Sequence, residues 1–118
     1  MNSLELVPSA ATYQPDLGHY NPTDYFCYTL KLDINHNVFN LDFVIRKEDK
    51  KTVVTNFIEA FHKKKKAKLG IIWHDFCGSS LFKTINGKIE LYIHDGETPT
   101  LVLNDDLALR FISYLSTL

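Results

Sequence analysis

The chain has 118 residues, 45% hydrophobic and 23% charged, with thirteen basic and fourteen acidic side chains and a formal charge of −1. This is the composition of one ordinary globular domain, able to bury roughly 65% of its unfolded surface without covalent staples. The near-neutral balance argues against strong non-specific attraction to nucleic acid or to an anionic membrane, while leaving room for a local basic patch.

No apolar run approaches the ~18 residues of a membrane-spanning helix. The N-terminus, Met-Asn-Ser-Leu-Glu-Leu-Val-Pro, lacks the basic and long apolar regions of a secretory signal, so the expected location is cytoplasmic. Two cysteines, Cys27 and Cys77, do not make a disulfide framework, and reduced thiols are expected.

Residues 1–23 show no period and are punctuated by Pro8, Pro15 and Pro22. They are expected to form an extended arm ahead of a single α+β domain spanning 24–118. Tyr13, Leu17, Tyr20 and Tyr25 give this stretch large contact surfaces, for packing on its own domain or for docking.

Tyr25 to Arg46 predicts a β-hairpin. Phe26, Tyr28, Leu30, Leu32 and Ile34 alternate with polar residues, as do Phe39, Leu41, Phe43 and Ile45 on the return. A two-residue loop at Asn35-His36 pairs Leu32 with Phe39 and Tyr28 with Phe43; a loop at His36-Asn37 also keeps the apolar sets together, and either needs an Asn in a left-handed conformation. Asp49 to about Lys66 predicts a helix, with Asp49 as N-cap and Val54, Phe57, Ile58 and Phe61 as its apolar stripe. Lys63, Lys64, Lys65 and Lys66 fall at its end, where they complement the helix dipole or form a phosphate-binding patch.

Leu69 to His74 predicts a short central strand, and Asp75 to Gly78 a turn. The clearest signal follows: Asn86-Gly87 between alternating runs marks a type I′ hairpin. Its register places Ile85 opposite Lys88, Lys83 opposite Glu90 and Phe82 opposite Leu91. One face carries Phe82, Thr84, Ile89, Leu91 and Ile93; the other carries Leu81, Lys83, Ile85, Lys88, Glu90 and Tyr92. After a loop at Asp95–Pro99, Thr100 to Leu103 predicts a short strand. Asn104 then caps a last helix with Leu107, Phe111, Leu115 and Leu118 along one stripe. The expected fold is α+β, order ββα-ββββα: a mainly antiparallel sheet of two hairpins and two short strands, with two amphipathic helices on one face.

The search for chemistry yields little. No nucleotide-binding loop, nucleophile elbow, zinc knuckle or calcium loop is present. His74-Asp75 and His94-Asp95 lie near strand ends, where adjacent side chains point to opposite faces. His74 and Cys77 have a zinc-like spacing, but a structural zinc needs four ligands, so Cys27 or His94 would have to join them. Trp73 reads as core. A non-catalytic protein without metal or cofactor is therefore expected.

Two functions remain. The first is a binding module that engages a protein partner, or a second copy, through the outer face or edge of its sheet, using Leu81, Ile85, Tyr92, Lys83 and Lys88. Its motive is the contiguous Leu-Tyr-Ile strip on a face that an exposed Lys83–Glu90 pair would otherwise make polar. The second is a single-stranded nucleic-acid binder that uses Tyr92, Lys83, Lys88 and the lysine run.

Overall fold

The structure, a computed structural model, describes residues 2–8, 25–70, 80–93 and 99–118. In chain order it contains β1 (Ser3–Pro8), β2 (Tyr25–Ile34), β3 (Asn37–Arg46), a single 3-10 turn (Lys47–Asp49), α1 (Lys50–His62), β4 (Ala67–Leu69), β5 (Ser80–Ile85), β6 (Lys88–Ile93), β7 (Leu101–Leu103) and α2 (Asp105–Leu115). The expectations for Tyr13, Leu17, Tyr20, Trp73, His74, Cys77 and His94, and for the turn at Asp75–Gly78, lie outside the described residues.

Both hairpins take the expected turns and registers. Asn35 and His36 have φ of 51° and 70°, and Asn86 and Gly87 have 52° and 77°, the pair of positive values that a type I′ turn demands. Leu32 faces Phe39 and Tyr28 faces Phe43 across β2–β3; Phe82 faces Leu91 and Lys83 faces Glu90 across β5–β6. Thr84, buried on the core face, donates its hydroxyl to the Lys88 carbonyl at 3.0 Å, so its polar atom is satisfied.

The fold is α+β, with antiparallel strands and two helices as expected, but the strands form two sheets instead of one. β1-β2-β3 form one antiparallel sheet and β4-β5-β6-β7 another. Ser3–Pro8 belongs to the first, with Leu4 opposite Leu32 and Leu6 opposite Leu30. Leu4 and Leu6 are buried while Ser3 and Glu5 are exposed. That alternation is only six residues long and ends at Pro8, which an edge strand tolerates. The Asn2 side-chain carbonyl also accepts the Asn35 N–H at 3.1 Å, tying the start of β1 to the first turn.

Three further corrections concern boundaries. Asp49 makes no side-chain cap bond; it lies in the 3-10 turn that leads into α1. α1 ends at His62, four residues before Lys66. Of the strand expected at Leu69–His74, residues 71–74 lie outside the described residues; Leu69 closes β4, which begins earlier, at Ala67, and among the described residues pairs with β5 alone. Asn104, in contrast, caps α2 as expected, its side chain accepting the Leu107 N–H at 2.9 Å, with Asp105 and Asp106 in the first turn.

The apolar faces of both sheets and of both helices merge into one core. α1 packs on β4 and β5, while α2 touches β1, β6 and β7, so α2 meets both sheets instead of lying on one. At the centre, Phe82 stands edge-on to Phe43 at 5.0 Å and packs on Phe111 at 4.8 Å, and Phe111 meets Phe57 at 6.3 Å. All four rings are fully buried.

Phe82→Ala removes the shared member of these ring contacts and is expected to cost about 3–5 kcal/mol, read as a lower urea midpoint. His36→Gly relieves a left-handed non-glycine turn residue and is expected to stabilise by roughly 0.5–1 kcal/mol in the same assay.

Candidate interaction surfaces

The outer face of the second sheet is built by the Asn86-Gly87 turn, whose register places one row of side chains across all four strands. Lys68 lies opposite Lys83, Lys83 opposite Glu90, and Glu90 opposite Val102. Two lysines directly opposite one another repel. The expected Lys83–Glu90 ion pair does not form. The Lys83 ammonium instead sits over the Tyr92 ring, 4.3 Å from its centroid. Glu90 accepts a long hydrogen bond, 3.4 Å, from the Tyr92 hydroxyl.

Tyr92 is only 6% exposed, and Leu81 and Ile85 are half-buried. The apolar strip read from the sequence is therefore largely covered already. What the face presents to solvent is charge, with exposed Val102 at the end of the row. Burial, and secondarily the Glu90 carboxylate and its hydrogen bond, hold the Tyr92 phenol above its ordinary range.

The lysine run joins this face through backbone geometry. Lys64 adopts φ 58°, the Lys64 N–H reaches the Phe61 carbonyl at 3.3 Å, and the Lys65 N–H reaches the Ala60 carbonyl at 2.8 Å. This is a Schellman ending, with lysine where glycine is usual. The Lys64 stem passes over the second hairpin's turn: a Cβ on Gly87 would lie 3.5 Å from Lys64 Cγ. Lys63, Lys64, Lys65, Lys66, Lys68 and Lys88 are all exposed. With Lys83 they make seven of the thirteen basic side chains.

A second surface lies on α1. A groove of about 580 Å³ runs beside the helix toward the end of the chain. Phe26, Val54, Ile58 and Leu115 line its apolar part, and Lys47, Lys50 and Lys51 stand at one end. The Lys47 and Lys50 ammoniums both lie over the Phe26 ring, at 5.1 and 4.7 Å from its centroid. Nearby Glu48 pairs with Arg46 instead, at 3.5 Å. Sequence reading missed this surface. The signal was present: residues 47, 50, 51, 54, 55 and 58 extend the helical period back past the expected cap.

Among the described residues, no group of three or more His, Cys, Asp or Glu side chains is placed to hold a metal ion. None of their helices is long and apolar enough to cross a membrane. Compared with known protein families, curated proteins and solved structures, the chain matches none.

The raised Tyr92 pKa has a pH consequence. Neutral Tyr92 is favoured in the fold, so its stabilisation is fully present below the unfolded value of about 10 and is lost as pH rises through the higher folded value. In urea melts at alkaline pH, Tyr92→Phe is expected to lose less stability than the parent chain across that window.

Proposed function

We propose that the chain is a small non-catalytic binding module that receives an acidic protein surface on the outer face of its second sheet. The observation that carries this reading is Lys68 set directly opposite Lys83. Like charges across a ladder cost stability; here Lys88 shares the face and the exposed Lys64 lies beside its turn, while the cross-strand row contains one carboxylate, Glu90. An acidic partner relieves that repulsion and is steered toward it over a long range.

Two features shape the reading further. A symmetric dimer through this face would set lysines against lysines, so the partner is a different chain. The edge strands of the second sheet, β4 and β7, have three residues each, which leaves little backbone for strand addition to that sheet. A single-stranded nucleic acid would meet the same cations. Its stacking platform, however, was to be Tyr92, which lies buried beneath Lys83.

Affinity capture from an extract of the source organism, comparing the parent chain with a Lys66→Glu, Lys68→Glu, Lys88→Glu variant, tests the proposal. The parent is expected to retain an acidic protein that the variant releases, with retention falling as salt rises. A labelled 20-nucleotide single strand is the competing probe. Variant-sensitive binding of that strand, without an acidic protein, would replace this reading with the nucleic-acid one. Equal behaviour of parent and variant toward both would remove each.

A further inference from the structure

The groove on α1 carries a distinct inference. We infer that it is a second docking site, shaped for an amphipathic helical segment of a partner protein with acidic residues at one end and a large apolar side chain beyond them. It rests on the binding-module reading but on a different surface.

Three observations converge. The first is shape. The α1-side lining falls at 47, 50, 51, 54, 55, 58 and 59, the i, i+3, i+4 stripe of one helical face, preceded by the 3-10 turn. Twelve residues of separation make a channel about 18 Å long at 1.5 Å per residue, the span of some three helical turns. A groove beside a helix that mixes apolar Phe26, Val54, Ile58, Leu115 and Leu118 with charged and polar side chains suits the amphipathic face of a helical segment.

The second is charge. Lys47 and Lys50 converge on one ring, Lys51 stands beside them, and among the described residues none of the three has a carboxylate partner. Two cations over one ring with a third lining the same groove repel one another in the isolated chain, and an acidic segment relieves that repulsion.

The third is polarity along the channel. The cations cluster at the start of α1, the apolar walls of Val54, Ile58 and Leu115 follow, and Glu59 lies at the far end. A bound segment therefore reads acids first and an apolar anchor next, which fixes its direction.

The test uses a 14-residue amphipathic peptide with three adjacent acids followed by Leu and Phe anchors, titrated into the full-length labelled chain by NMR. The controls are the same peptide with lysines in place of the acids, and a poly-glutamate of equal length. Resonances of Thr55, Ile58 and Leu115 are expected to shift with the amphipathic peptide alone. Binding is expected to weaken at least tenfold in a Lys47→Glu, Lys50→Glu, Lys51→Glu variant. It should weaken similarly in Thr55→Trp, which fills the channel from an exposed position, and stay unchanged in the Lys66/Lys68/Lys88 variant.

Poly-glutamate shifting the Thr55, Ile58 and Leu115 resonances as strongly as the amphipathic peptide, or insensitivity to both groove variants, overturns the inference. Decanoate shifting the same resonances while the peptide does not would assign the groove to a small amphiphile and overturn it too, as would concentration-dependent shifts without peptide, which indicate a second copy. If the peptide binds but only the sheet-face variant loses it, the groove inference falls and the binding-module reading stands. If no acidic probe, up to on the order of 1 mM, engages either surface and capture is equally blank, both fall.

Discussion

The fold depends on where Phe82 sits. Its ring stands edge-on to Phe43 of the first sheet and packs against Phe111 of α2. Edge-to-face packing lets the electropositive rim of one ring meet the electronegative face of another. Each sheet alone has one apolar face and no means to bury it. Phe82 supplies the contact that lets the two sheets and α2 share one dry interior, with Phe57 bringing in α1 through Phe111.

That burial decides what is left on the surface. With Phe82, Thr84, Ile89 and Leu91 turned inward, the alternation of the hairpin sends Lys83, Lys88 and Glu90 to the other side. The Schellman ending of α1 brings the lysine run to the same turn. A chain with a formal charge of −1 thus sets Lys68, Lys83 and Lys88 on one sheet face, with Lys64 beside its turn. Overall charge and local field are separate quantities, and binding responds to the local one.

Much of this was legible from the sequence, and the reasons differ by element. Both hairpins were readable because turn chemistry and alternation are independent signals that agree, at Asn86-Gly87 as at Asn35-His36. Asn104 was readable because the cap bond is local. The division into two sheets was not, since it follows from contacts such as Phe43 with Phe82, which no local pattern encodes. The burial of Tyr92 was equally hidden: register gives the face of a side chain, and its cover comes from tertiary packing. For the basic groove the reverse holds. Its period was in view, and reading Asp49 as a cap stopped the count one turn too late to include Lys47.

The strand order has a kinetic meaning. In each sheet, every strand pairs with its immediate neighbour in the chain, β1-β2-β3 and then β4-β5-β6-β7, without a crossover. The β2–β3 and β5–β6 hairpins close over two-residue turns and are of the kind that forms within microseconds, and low sequence separation between partners speeds folding. Each meander can therefore assemble by itself, one from residues 3–46 and one from 67–103. On this topology the slower event is expected to be the meeting of the two sheets, whose apolar faces stay unburied until contacts such as Phe43–Phe82 close. The chain is most vulnerable to sticking to its own copies in that interval, and the crowd of like-charged lysines on the back of the second meander keeps those copies apart.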